Sequence, residues 1–403
     1  MIDRFVVVSL SAMYAIIPIY GTYAVFAPHP PTSPFVPRPL VLIFAAVMLA
    51  AMIGVTIGAV RRRSRPALYV VLLVNLIAVY TGAALGFDPA VGLGLATGCA
   101  GFIATHYAVI AYYRDRDVAR SIYLALLISG FVAAVIAIVF LALKWPADLY
   151  AYNHGRAVAT FLNPNELAAY LLTYLGVSCG VAIVRRGTRT GTFASICSAT
   201  AALALTLTFS RWAIAAALCG LVAYALVLRP RRGVIAGALV AFALAAGVNL
   251  ALWTRHHDPQ DTGIRGVAWQ AGIATFLHFP LTGIGPLAFE RLYPVMRAPD
   301  APGPNTPVAY DPHDLPLSIA AETGAFGFVA FLFLVGSLGS AFRRALGQVT
   351  GERRTLGMAI MAGIIALLVH SLINSVSVFF ALYIQFSALA LAATYWGFDP
   401  DAA

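Results

Sequence analysis

Apolar residues in this chain do not alternate with polar ones. They come in blocks long enough to cross about 30 Å of hydrocarbon, which takes roughly 20 helical residues at 1.5 Å each. The blocks run approximately over Phe5 to Phe26, Pro39 to Val60, Leu68 to Leu85, Val91 to Tyr113, Ile122 to Leu143 and Leu167 to Val184. They continue over Phe193 to Phe209, Trp212 to Leu228, Val234 to Trp253, Leu317 to Phe342, Leu356 to Val376 and Val378 to Gly397. This pattern predicts an all-α polytopic membrane protein of about twelve transmembrane helices. The first block has no small-x-small cleavage site before Pro28, so it is expected to stay as an uncleaved first helix.

Two polar stretches interrupt the blocks on one side: Lys144 to Glu166 and the longer Thr254 to Pro312. The expected organisation is therefore transmembrane helices 1–9 over residues 1–253, a large extracytoplasmic loop over 254–316, and helices 10–12 over 317–403. Within the loop, Gly263 to Phe279 reads as a short helix with Trp269, Ile273, Phe276 and Leu277 at helical spacing, expected to lie along the membrane surface. Pro286 to Pro312 reads as irregular chain and a candidate lid.

Composition agrees with lipid as the main solvent. Apolar residues make up 61% and charged residues only 10%, and mean hydropathy is +0.85. The net charge of +10 invites a nucleic-acid reading until the cations are located. Threading from a cytoplasmic N-terminus places Arg4, the Arg61 to Arg65 cluster, Arg114, Arg116, Arg120, Arg185, Arg186, Arg189, Arg229, Arg231, Arg232, Arg343, Arg344, Arg353 and Arg354 inside. Outside remain Arg38, Lys144, Arg156, Arg211, Arg255, Arg265, Arg291 and Arg297. The charge is thus a signature of topology, with both termini cytoplasmic, and no nucleic acid is implied. Cys99, Cys179, Cys197 and Cys219 all fall in spans and lack metal or disulfide spacing, so no disulfide is expected.

The candidate chemistry gathers outside. Asp311-Pro312-His313-Asp314 precedes the tenth span: Asp311 can cap it, Pro312 suits the first helical position, and His313 would fall in the first turn. An imidazole held there can serve as a proton acceptor near neutral pH, or simply finish the cap. Thr262 can cap the loop helix, which puts Arg265 in its first turn, where the dipole opposes a cation unless an anion binds. Arg211 sits in Phe209-Ser210-Arg211-Trp212, with almost no loop between two spans. It either serves a site or snorkels beside Trp212.

In the smaller loop, Asn163, Pro164 and Glu166 match a capping box, while Arg156 and Asn165 remain as extra polar groups beside it. His256-His257-Asp258 and the His313 motif contain metal-ligand types but no i, i+4 ligand spacing, and no metal or other cofactor is expected. Several arginines around one candidate base suit a phosphorylated lipid. Guanidinium groups can stabilise a departing diphosphate while a neutral His deprotonates an attacking hydroxyl.

These residues resemble the O-antigen ligase and polymerase superfamily, most closely the O-antigen ligases. The resemblance rests on Phe161-Leu162-Asn163-Pro164-Asn165, Ser210-Arg211, Arg265 with Trp269, Phe279-Pro280-Leu281-Thr282-Gly283-Ile284-Gly285, and Pro312-His313-Asp314 leading to Ala321-Glu322-Thr323-Gly324. It departs at Asp314, where members usually carry Asn. The resemblance implies a bacterial inner-membrane enzyme that works on the periplasmic face. Such an enzyme transfers a preassembled polysaccharide from undecaprenyl pyrophosphate to a sugar hydroxyl of lipid A-core, inverting and without metal. It implies His313 as general base and Arg211, Arg265 and Arg156 as pyrophosphate ligands, with Asn163, Asn165, Arg291, Glu322 and His370 as possible supports. An O-antigen polymerase and a protein-directed oligosaccharyltransferase remain alternatives. So does a lipid-linked glycan flippase, although the unusual polar residues gather on one face rather than at mid-membrane.

Overall fold

The computed structural model describes residues 2–20, 38–61, 68–161, 163–229, 232–252, 261–297, 311–375 and 379–397. Its helices, in chain order, begin with α1 (Ile2–Ala15), α2 (Ile17–Tyr20), α3 (Arg38–Arg61), α4 (Tyr69–Leu85), α5 (Pro89–Tyr112), α6 (Arg116–Leu143) and α7 (Ala147–Tyr152). A 3-10 turn at Ala159–Phe161 precedes α8 (Pro164–Val184), α9 (Arg189–Leu207), α10 (Arg211–Leu228) and α11 (Arg232–Leu252). Then come α12 (Asp261–His278), α13 (Phe289–Met296), α14 (Leu315–Gly347), α15 (Gly351–Ser371) and α16 (Phe379–Trp396). The protein is an all-α polytopic membrane protein. Among the described residues nine helices, α5, α6, α8 to α11 and α14 to α16, are long and apolar enough to span a bilayer. Where the first three spans are expected, α1, α3 and α4 carry shorter apolar stretches, Arg4–Ala15, Leu49–Val60 and Val70–Leu85.

α8, α15 and α16 form the centre, with α15 packed against α8, α10 and α16. Between helices in lipid the usual hydrophobic gain is missing, so close backbone approach has to supply the attraction. Small residues make that approach possible: a Cβ at Gly176 of α8 would lie 2.7 Å from the Ala359 carbonyl, and one at Gly363 of α15 would lie 2.8 Å from the Leu172 carbonyl. Around this centre, α6 turns Leu124, Ile128 and Val132 outward at i, i+4 and i+8, an apolar stripe suited to acyl chains.

Successive long helices run up and down, so the connections α6 to α8, α9 to α10, α11 to α14 and α15 to α16 share one end of the bundle. Hydrogen bonds tie these connections to one another and to other elements: Ala157 N–H donates to the Leu207 carbonyl at the end of α9 (3.0 Å), Phe87 N–H between α4 and α5 to the Ile284 carbonyl (2.8 Å), and the Thr160 hydroxyl to the Pro18 carbonyl of α2 (2.5 Å).

Three local expectations change. The stretch read as irregular from Pro286 contains α13, because Phe289, Leu292, Tyr293 and Met296 recur at helical spacing and bury Phe289 and Tyr293 against Ala268, Ala271 and Ile284. The remainder of that stretch, 298–310, lies outside the described residues, as do the His256-His257-Asp258 motif and Arg255. Thr262 is inside α12 rather than before it, since the helix is already formed at Asp261. The first apolar block breaks at Ile16, giving α1 and α2 in place of one continuous helix, with Pro18 inside the second piece.

α12 packs on α13 and α14. It keeps Trp269, Ile273 and Leu277 exposed, with 68% of Leu277 accessible. An uncovered apolar stripe beside a membrane bundle is what a helix lying on the lipid surface needs.

Candidate functional site

The His313 segment differs from its expected form. Asp314, not Asp311, caps α14: its Oδ1 accepts the Leu317 N–H at 2.8 Å, and Pro316 stands within the first two helical positions. Asp311 instead closes a turn, accepting the His313 N–H at 2.6 Å. His313 therefore precedes the helix, in left-handed backbone at φ +55°. The physical reason is the short span between Asp314 and Leu317, which forms an Asx cap while Asp311 makes the preceding Asx turn.

The imidazole is half-exposed, with Nδ1 3.7 Å from Asp311 Oδ1, an electrostatic contact longer than a hydrogen bond. Burial pushes the Asp314 carboxyl above its ordinary range, against the opposing pull of the Leu317 N–H. A cap needs only an acceptor oxygen, which Asp and Asn both provide.

One turn further on, the Ser318 hydroxyl donates to the Asp314 carbonyl (2.8 Å) and lies 3.2 Å from the Ser375 hydroxyl beyond α15. α14 is then broken at Gly324, whose φ +65° and ψ −168° are open essentially to glycine alone. The break has a partner. Ile284 N–H donates to the Ala321 carbonyl (3.1 Å) and Gly285 N–H to the Glu322 carbonyl (2.9 Å), while Ala325 and Phe326 N–H donate to the Pro280 and Leu281 carbonyls (2.8 and 3.3 Å). The backbone groups that a kink would orphan inside a membrane helix are thus satisfied by the turn at 280–285.

The fit is backbone against backbone. A Cβ at Gly283 would strike the Glu322 carbonyl, and one at Gly324 the Leu281 carbonyl. The Glu322 side-chain oxygens accept the Leu287 and Phe289 N–H groups, holding the start of α13. Arg291 of α13 pairs with Asp88 at 2.6 Å, and Asp88 also caps α5. Glu322 and Arg291 are therefore engaged in holding the loop to the bundle.

A second group lies at the starts and ends of α8, α9, α10 and α15. Asn163 caps α8, its Oδ1 accepting the Asn165 N–H at 2.8 Å, with Pro164 as the first helical residue and Glu166 turned into the bundle and buried. Arg156 donates from Nε to the Thr208 carbonyl (2.9 Å) and from Nη2 to Asn165 Oδ1 (3.2 Å). Thr208 Oγ1 in turn accepts the Ser210 N–H at 3.3 Å. Arg211 follows as the first residue of α10, exposed. His370, wholly buried at the end of α15, reaches the Asn165 carbonyl with Nε2 at 3.1 Å. Arg265 of α12 and Arg156 are the cations whose charge is felt at the His370 ring.

Arg156, Asn163, Asn165 and His370 are thus joined by hydrogen bonds. Arg265 of α12 is within electrostatic reach of the same His370 ring, and Arg211 follows Ser210 at the start of α10. His313 precedes α14, whose Ser318 lies against Ser375 beyond α15, while Glu322 of α14 and Arg291 of α13 hold the loop to the bundle. Thr208 and Ser375 went unrecognised in the sequence. Each is a polar residue at the end of an apolar block, where capping and snorkelling are the ordinary explanations. Among the described residues no three His, Cys, Asp or Glu side chains come together as metal ligands, and all four cysteines are free.

Residues 196–332 match the family model described as O-antigen ligase, which supports the family that the motifs resemble. The matched segment runs from α9 into α14. It contains Arg211, Arg265, the 279–285 turn, His313 and the Gly324 kink; Arg156, Asn163, Asn165 and His370 lie outside it. No curated protein gives a match.

Proposed function

From its similarity to the O-antigen ligase family, which indicates a glycosyltransferase-like membrane enzyme, we propose that this protein is an O-antigen ligase. It transfers a preassembled polysaccharide from undecaprenyl pyrophosphate to a sugar hydroxyl of lipid A-core, in the bacterial inner membrane with its site facing the periplasm. The observations that support the reading are the Arg156–Asn165–His370 hydrogen-bond cluster, the charge of Arg265 within reach of the same ring, and a half-exposed His313 held just before α14.

In this reading Arg156, Arg211 and Arg265 grip the two phosphates. Guanidinium groups offer paired donors to phosphate oxygens and supply the charge that a divalent ion supplies in other transferases. The acceptor oxygen attacks the anomeric carbon from the face opposite the phosphate. A new C–O bond forms as the old anomeric C–O bond breaks, and the configuration inverts. The acceptor proton passes to the His313 ring, and the electron pair leaves with undecaprenyl pyrophosphate, whose added negative charge the arginines stabilise. Asp311 faces Nδ1, which favours the tautomer that leaves Nε2 to accept the proton.

Reconstitution of the purified protein with lipid-linked glycan and lipid A-core, without added metal, should give the joined product. His313→Ala should lower the rate by about 100- to 10 000-fold, the range for losing a positioned base. Retained activity in that variant would remove the base assignment. Product formed only on a second lipid-linked chain, or on a protein, would reassign the enzyme to polymerase or oligosaccharyltransferase. Net lipid translocation in vesicles lacking any acceptor would make it a flippase.

A further inference from the structure

His370 lies at the last turn of α15, fully buried, outside the segment that matches the family model. Its Nε2 is 3.1 Å from the Asn165 carbonyl. A carbonyl oxygen only accepts, so Nε2 carries the proton, and the tautomer is fixed by geometry. Nδ1 is buried with no hydrogen-bond partner among the described residues. An unpaired buried acceptor costs free energy that Leu or Phe at this position would avoid. The ring is therefore poor as mere filling, and its donor is the group with a use.

That donor ends on a residue held from three directions. Asn165 gives its carbonyl to His370, its N–H to Asn163 Oδ1 at 2.8 Å, and its side-chain oxygen to Arg156 Nη2 at 3.2 Å. Arg156 also reaches the Thr208 carbonyl at 2.9 Å, at the α9 to α10 turn where Arg211 stands. Without the bond from α15, the first turn of α8 keeps its cap but loses its lateral tie, and Arg156 loses a fixed acceptor.

We infer that His370 is a positioning residue that aims the anion-gripping Arg156 through Asn165. The inference rests on the reading of Arg156 as a pyrophosphate ligand. Its role is to pre-organise a guanidinium, so that binding does not have to fix the side chain anew.

The test measures binding of undecaprenyl pyrophosphate to the detergent-purified full chain. His370→Leu should weaken binding about tenfold, and His370→Gln, whose amide can donate to the same carbonyl, should recover most of it. Asn165→Ala should weaken binding to a similar extent, and the double variant should be no worse than either single one, because both cut the same tie. Unchanged binding in His370→Leu, equal loss in the Leu and Gln variants, or additive losses in the double variant would overturn the inference. If His370→Leu does not fold, His370→Asn replaces it. Its amide is one methylene short of the Gln variant's, and equal affinity in the Asn and Gln variants would overturn the inference. Arg156→Gln and Arg265→Gln separate the two levels. If neither weakens binding, the pyrophosphate reading itself fails. If both do while His370→Leu does not, only the role of His370 falls.

Discussion

Gly324→Ala tests how the large loop is locked to the bundle. At φ +65° and ψ −168° an alanine is strained by about 1–3 kcal/mol whatever surrounds it. The surroundings add to this, since the new Cβ would run into the Leu281 carbonyl and the Thr282 amide, which are backbone and cannot rotate away. Relief requires the 280–285 turn to withdraw from α14, where four backbone hydrogen bonds join them. Losing one or two, at roughly 1 kcal/mol each, brings the expected cost to about 2–5 kcal/mol.

Gly336→Ala, further along the same helix with open space around its Cβ, is the control. It should be neutral or stabilising by about 0.5–1 kcal/mol from helix propensity. Thermal unfolding in detergent should show Gly324→Ala lowered by roughly 5–10 °C and Gly336→Ala unchanged or raised. Transfer should be lost in the first variant, because the turn also positions α13 and joins the loop to α14, which His313 precedes. A Gly324→Ala protein that melts with the wild type and keeps its activity would refute the claim that the backbone junction holds the loop in place.

Glu322→Leu should destabilise by roughly 2–5 kcal/mol, because it strands the Leu287 and Phe289 N–H groups, whereas Glu322→Gln keeps an acceptor and should cost much less; chemical denaturation in detergent compares them. Arg291→Ala should cost at most about 1 kcal/mol, as an exposed ion pair does, and leave undecaprenyl pyrophosphate affinity unchanged; a tenfold loss of affinity would return Arg291 to the ligand set. Asp314→Asn keeps the cap and removes a carboxyl whose folded pKa is raised. For such a group the charged form is the costly one, so the stability advantage of Asn should be absent at acidic pH, appear as pH rises through the ordinary carboxyl range, and level off above the folded pKa. Melting curves at pH 4 and pH 8 check the sign, and a larger advantage at pH 4 would reverse it. Arg265→Lys should weaken donor binding despite its retained charge, since an ammonium cannot reproduce the guanidinium fork; binding equal to wild type would argue that only charge matters there.

Span positions were readable in the sequence because each apolar block carries its own reason to be a helix in lipid, independent of its neighbours. Counting spans gives the expectation that His313, Arg265 and Arg211 share one side, and the Arg156 to Glu166 stretch was visible as a polar break. Short-range competition was harder to read. Asp311 and Asp314 are both good caps three residues apart, and only the folded chain shows that Asp314 takes the helix while Asp311 takes the turn before it. α13 was hidden because Pro294 and the surrounding Pro and Gly read as loop, while its apolar face makes sense only against Ala268 and Ala271 of α12.

What the chain determines by itself, then, is what local periodicity sets: the apolar helices and the polar breaks between them. Tertiary structure alone decided which glycines meet which carbonyls at the Gly324 kink. It alone decided that Glu322 and Arg291 hold the loop, and that His370, more than two hundred residues from Asn165, lies against it. Those pairings depend on which helix ends become neighbours, and helix packing in lipid is set by the shapes of small residues on several faces at once.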